Sequence, residues 1–244
     1  MEVNGADRAL RQKLGRLDPE GPPEVLLLAG DCPPAARLAV MSGSFNPPTR
    51  AHVGLAQAAV ATEQFDRLLF ALAIRTINKE EVVGATLAER CRMLAALVGT
   101  EPRSAVIGAN RGLYLDQAIA VHAAFAPRDL AFVVGFDKIV QILDPRYYAD
   151  RDTALRELFA RTRFLVAPRD GAGPVELERL FAQPEHRAYA ERVQFLPLSQ
   201  LQEQEQRLSS THVRQLLARG EDVAWAVPEE IRPILERING YRNA

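Results

Sequence analysis

From Arg37 onward, apolar runs of strand length alternate with longer segments whose apolar residues recur near i, i+3 and i+4. RLAVMS, RLLFALA, SAVIGAN, LAFVVG, RFLVAP and RVQFLPL read as strands. VGLAQAAVATEQ, LAERCRMLAALVG, YLDQAIAVHAAF and PVELERLFAQ, lying between them, read as helices. This βαβα alternation predicts a parallel sheet with helices on both faces, a doubly wound α/β fold. Ligands of such sheets bind outside the carboxyl ends of the strands. Residues 1–36 read as a leader: a polar, helical stretch to Leu17, then DPEGPPE, one short apolar run and GDCPP. At the other end, a polar QEQEQ tract precedes two helices, one opened by Ser/Thr and the next by Pro228. The expected organisation is a leader over 1–36 and one domain over 37–244 that includes the helical tail.

Composition narrows the class. Apolar residues make up 48% of the 244 and charged residues 25%, the balance of an ordinary globular protein. A net charge of −1 gives no global attraction for nucleic acid or anionic membrane, so neither is an expected partner. Arginine outnumbers lysine 27 to three, which makes Lys13, Lys79 and Lys138 the more informative cations. Cys32 and Cys91 belong to no ligand-spaced cluster, which argues against a disulfide framework and against structural zinc. The run VLLLAG at 25–30 is too short to span a bilayer, and the cytoplasm is the expected location.

Chemistry concentrates in two stretches. MSGSFNPPTRAHVG at 41–54 follows a strand directly and so falls at the ligand edge. Gly43 and Ser44 allow a tight turn, Pro47 and Pro48 stiffen it, and a helix begins near Thr49–His52. The free N–H groups and dipole of a helix start favour an anion. Thr49 and His52, about one turn apart, can both point at it. Equally, Thr49 can cap the helix while His52 packs on it. In LSSTHVRQLL, Ser209, Ser210 and Thr211 precede a second helix, and Arg214 falls on its first turn, where a guanidinium can grip phosphate oxygens bidentately. An N-cap with a surface arginine is the bland alternative. Two anion-ready helix starts far apart in one α/β chain suggest a polyphosphate held between them.

The first stretch resembles the GxFxPxTxxH form of the (H/T)xxH motif of the nucleotidylyltransferase superfamily, and the second resembles its ISSTxxR motif. In this order, about 160 residues apart, they resemble the nicotinamide or nicotinate mononucleotide adenylyltransferases. VVGFD is similar to the family's GxD segment, LAERCRML to its helix bearing an Arg and a Met, and GEDVAWAVPEEIRPIL to its closing helices. The likeness covers roughly 38–240. It implies a Rossmann-like nucleotidylyltransferase fold and a reaction in which a mononucleotide phosphate attacks the α-phosphorus of ATP. The products would be a dinucleotide and pyrophosphate, made by positioning and charge neutralisation without a covalent enzyme intermediate.

By the same resemblance, His52 and Thr49 contact the α- and β-phosphates, while Ser210, Thr211 and Arg214 hold the leaving group. Backbone groups of Gly43, Ser44 and Phe45 line the nucleotide floor, and Gly135 and Asp137 face ribose hydroxyls. Asp137 can instead cap the helix KIVQIL. Lys79 meets the acceptor's phosphate or is a solvated loop lysine. Mg²⁺ bridges phosphates mostly through water, with no carboxylate cluster required.

This chain also departs from the family. Ala51 stands where the motif usually has Gly. The tryptophan-bearing segment reads RGLYLDQA, with Tyr114 its nearest aromatic, and DPRYY offers Tyr147 and Tyr148 near the pyridine ring. Trp225 is expected in the core. Other acceptors stay open (pantetheine phosphate, FMN, or a CTP-dependent alcohol phosphate), as does a nucleotide-binding regulator without catalysis. Class I aminoacyl-tRNA synthetases are disfavoured, because nothing resembles KMSKS. Self-association into a homo-oligomer is also left open.

Overall fold

The computed structural model describes residues 5–34, 36–74, 84–101, 103–168, 171–198 and 208–241. Six parallel strands among them form the sheet: β2 (Arg37–Ser42), β3 (Arg67–Ala73), β4 (Ser104–Ala109), β5 (Asp129–Gly135), β6 (Arg163–Ala167) and β7 (Val193–Phe195). Strand β1 (Val25–Ala29) joins β4 antiparallel, giving the order β1-β4-β3-β2-β5-β6-β7. From β2 the chain builds outward through β3 and β4, then crosses to place β5 on the other side of β2. The order reverses at the β2/β5 boundary, where a doubly wound sheet opens its crevice.

Strand alternation sorts the core onto two faces. Leu38 and Val40 pack with Phe132, Phe164 and the helices α4 (Tyr114–Phe125), α5 (Phe136–Leu143), α6 (Arg151–Arg161) and α7 (Pro174–Ala182). Ala39 and Met41 face the other way, toward α2 (Arg50–Thr62) and α3 (Leu87–Val98). Helix α1 (Gly5–Leu14) packs against α3 and β1. The tail contributes α8 (Ser210–Ala218), a 3₁₀ turn at Glu229–Ile231 and the short α9 (Arg232–Leu235). A third cluster joins Val213, Leu216, Val227, Ile231 and Tyr241 of this tail to Ala51 of α2 and Met93 of α3. The C-terminal segment is thereby seated beside the start of α2.

The strands expected from Arg37 onward all form within a few residues of their expected bounds. Two elements were not anticipated. The apolar run of the leader becomes β1, and buried Asn110 fixes its approach by donating to the carbonyls of Asp18 and Pro22 and accepting from Glu24 N–H. Helix α6 is capped by Asp150, which accepts from Thr153 N–H, and buries Leu155, Leu158 and Phe159. Trp225, expected in the core, is instead 47% exposed: its neighbours Ala226 and Val227 fill the tail cluster and leave the indole outside. Among the described residues no helix is long and apolar enough to cross a membrane.

Candidate functional site

The loop after β2 is built to turn sharply. Gly43 continues the ladder by donating to Ala71 O, and a Cβ on it would meet the Phe45 ring at 3.2 Å. Phe45 takes a left-handed φ of 45° and drives its ring inward, 1% exposed, edge-on to both His52 and Phe70. Ser44, between them, remains exposed.

At the start of α2, Thr49 is the N-cap residue and is wholly buried. Its backbone N–H donates to His52 Nδ1 at 3.0 Å, and its hydroxyl lies 2.8 Å from the same nitrogen. A backbone N–H can only donate, so Nδ1 is the acceptor and the neutral ring carries its proton on Nε2. The Thr49 hydroxyl is turned to His52 rather than to solvent. Thr49 sets the orientation and tautomer of the imidazole, and half-buried His52 presents an N–H donor.

The second motif meets the first directly. Ser209 caps α8 by accepting from His212 N–H, and Ser210 Oγ donates to Pro47 O at 2.8 Å. Arg214 Nη1 donates to Asn46 O at 2.8 Å, and Nη2 donates to Thr211 Oγ1 at 3.1 Å. Exposed Thr211 and half-buried Arg214 thus stand beside the 43–49 loop.

On the other bank of the crevice, Gly135 ends β5 and is itself the N-cap of α5. Asp137 lies in the first turn of that helix, exposed, so it is not the cap residue that its alternative reading supposed. A Cβ on Gly135 would come within 2.8 Å of Asp137 Oδ1, the tip of an exposed side chain. Helix α5 then puts about 12 Å of rise between this edge and DPRYY. There Tyr148 donates to Ile142 O, and burial pushes its hydroxyl up to about 12. Tyr147, half-buried, accepts from Gln141 Nε2. Tyr114 is a core residue packed on Phe132 and Phe164. Lys79 lies outside the described residues. Neither cysteine is poised as a nucleophile, since burial pushes the Cys91 thiol up to about 12 and that of Cys32 to about 11.

Three further residues tie this assembly together. Buried Asn46 accepts at Oδ1 from Ala85 N–H (3.0 Å) and from Tyr241 O–H (2.8 Å). Arg90 of α3, also buried, donates from Nη1 to Ser44 O at 2.9 Å. Arg90 carries a legible signal, because it stands in register with Leu94 and Leu97 on the buried stripe of its helix, where a charge is out of place. Asn46 and Tyr241 carry none, since their roles depend on contacts across the whole chain.

With this geometry in view, the sequence match is decisive. Residues 40–216 match the family described as cytidylyltransferase-like. The chain belongs to this family of nucleotidyltransferases. A Schizosaccharomyces pombe relative, named among the nicotinamide mononucleotide adenylyltransferases, is 26% identical over 84% of this chain and 86% of its own length. A protein of Anaeromyxobacter sp. strain K, named probable nicotinate-nucleotide adenylyltransferase, is 30% identical over 84% of this chain and 96% of its own. Among solved structures, Plasmodium falciparum nicotinic acid mononucleotide adenylyltransferase complexed with NaAD superimposes with a TM-score of 0.58 at 15% identity. That match covers 84% of this chain and 97% of the other, and it bears on the fold alone.

Proposed function

We propose that the protein transfers the adenylyl group of ATP to nicotinate or nicotinamide mononucleotide, releasing pyrophosphate and a dinucleotide. The observation that carries this reading is the pair of hydrogen bonds from Ser210 and Arg214 to the carbonyls of Pro47 and Asn46. They bring two helix starts to one loop, so a single polyphosphate can reach both. The names of both relatives favour a mononucleotide as acceptor.

In this reading the acceptor's phosphate is the nucleophile and needs no base, so the residues act by position and charge. His52 donates from Nε2 to a phosphate oxygen whose charge grows as the α-phosphorus is attacked. Thr49 keeps that proton on Nε2 through Nδ1. Thr211, Arg214 and the backbone of Ser210, whose hydroxyl is given to Pro47 O, hold the departing pyrophosphate, and the peptides of Gly43, Ser44 and Phe45 line the floor. Gly135 and Asp137 face the ribose across the crevice. Lys79 is the candidate cation for the acceptor's phosphate, and Tyr147 is better presented to a pyridine ring than Tyr148, whose ring packs against the core.

Mg²⁺ fits this arrangement as an ion carried on substrate phosphates within its own water shell. No group of three His, Cys, Asp or Glu among the described residues would hold it independently. It would neutralise phosphate charge. The test is incubation with ATP, Mg²⁺ and each mononucleotide, with pyrophosphate and dinucleotide measured together. Absence of both products sinks the proposal.

A further inference from the structure

Arg90 is 5% exposed, and its buried Nε has no hydrogen-bond partner among the described residues. It forms no ion pair among the described residues, and its hydrogen bond there goes to a backbone oxygen, Ser44 O. Burial disfavours the charged form, yet a guanidinium keeps its proton inside proteins. Among the described residues, then, this buried cation has no carboxylate to balance it. A charge in that condition is costly unless something else compensates it.

Its position says what could. Arg90 and Arg214, from helices α3 and α8, hold alternate carbonyls of one loop, Ser44 O and Asn46 O. The phenol of Tyr241 lies within electrostatic reach of both guanidiniums. The Ser44–Phe45 peptide is trans, the cis bond of this loop being Asn46–Pro47. In a planar trans peptide the C=O and N–H point in opposite directions. With Ser44 O drawn toward Arg90 of α3, the Phe45 N–H points away from that helix.

We propose that Arg90 is a positioning residue for the polyphosphate site. It turns the Phe45 N–H toward the bound anion and supplies that anion with a positive charge that no carboxylate among the described residues balances. Arg90 touches no reacting atom in this scheme, and the inference rests on the polyphosphate reading above.

The test compares the full chain with Arg90→Met and Arg90→Gln. Thermal unfolding is measured without ligand, and calorimetric binding with inorganic pyrophosphate and with α,β-methylene ATP. The Met variant is expected to unfold at or above the wild-type temperature, since an apolar side chain replaces an unbalanced charge. Its affinity for both probes should fall about ten-fold or more. Should the Met variant fail to fold, Arg90→Gln keeps a donor for Ser44 O without the charge, and it should show the same loss of affinity. A folded variant with a lowered melting temperature and undiminished affinity would make Arg90 a structural residue and overturn the inference. Failure of the wild type to bind either probe would instead remove the polyphosphate reading itself.

Discussion

Arg214 on α8 donates from Nη1 to the backbone carbonyl of Asn46, 168 positions earlier in the chain, at 2.8 Å. Its Nη2 reaches Thr211 at the same time, so the planar fork spans the two motifs. A lysine ammonium cannot reproduce that fork. Hydrogen bonds to charged groups are worth about 1.5–3 kcal/mol, so Arg214→Lys should lower kcat/KM for ATP about 10–100-fold. Steady-state kinetics check this, and a variant with unchanged kcat/KM reduces Arg214 to a spacer.

His52→Ala should act on turnover rather than on ATP binding. The Nε2 proton matters most as phosphate charge develops, and losing one such donor commonly costs about 10²–10³ in kcat. The substitution also removes the acceptor for Thr49 N–H, a helix-start interaction worth roughly 1 kcal/mol. A small fall in melting temperature should therefore accompany the large fall in kcat. Near-normal kcat with the same loss of stability would leave His52 as a packing residue.

Much of this was legible in the sequence, for identifiable reasons. Strands such as RLLFALA are continuous apolar runs because both faces of a parallel sheet are covered, and their bounds survive almost unchanged in β3. The motif helices announce themselves through Thr49 and Ser209, whose capping is local. Strand β1 was hidden because it pairs antiparallel with β4, across roughly 80 residues of intervening chain, and no crossover helix marks it. The orientation of Thr49 was hidden too: spacing gives the face of a helix, whereas only coordinates show the hydroxyl turned to Nδ1. Asn46 lay inside the quoted motif, but its partner Tyr241 sits 195 positions away.

That Asn46–Tyr241 contact predicts an order of stabilities. Asn46→Ala strips the acceptor from Tyr241 O–H and from Ala85 N–H, each costing about 1–3 kcal/mol when left unsatisfied. Tyr241→Phe removes one donor and leaves Asn46 Oδ1 bonded to Ala85. Melting temperature should fall in the order wild type, Tyr241→Phe, Asn46→Ala. Gly84→Ala should be poorly tolerated, since φ there is +108° and a Cβ would meet the Tyr241 ring at 2.6 Å. Equal melting temperatures across the series would mean that the tail is not held through Asn46.

A network at the opposite, amino edge of the sheet sets the acid limit of stability. Asp129 on β5 accepts from Arg163 and Arg37, and first of all the Arg163 hydrogen bond holds its carboxyl below the usual range. Such a carboxylate contributes stability that is present above its unfolded pKa of about 3.9 and is lost as pH falls through the lower folded value. Asp129→Asn should therefore melt below wild type at pH 7, and the gap should close as pH drops below about 4. Because the ligand edge lies at the other end of these strands, kcat should not change. A gap that persists undiminished at pH 2 would assign the loss to packing.

The acceptor is the sharpest test of the reading as a whole. With ATP, Mg²⁺ and nicotinate or nicotinamide mononucleotide, the protein should form deamido-NAD or NAD in step with pyrophosphate. Tyr148 packs against the core and Tyr114 lies within it, so Tyr147 is the better candidate to meet the pyridine ring. Aromatic pairs are worth about 0.5–1.5 kcal/mol beyond the area they bury, and each 1.4 kcal/mol is tenfold in affinity. Tyr147→Ala should then raise the KM of the mononucleotide by about three- to ten-fold while leaving that of ATP within twofold. Tyr147→Phe keeps the ring and should restore most of the loss. Pyrophosphate release with pantetheine phosphate or FMN, and with neither pyridine mononucleotide, would keep the chain in its family and discard the named reaction. Equal KM values for wild type and Tyr147→Ala would move the ring pocket elsewhere, since a stacking partner cannot be removed without cost to the ligand that stacks on it.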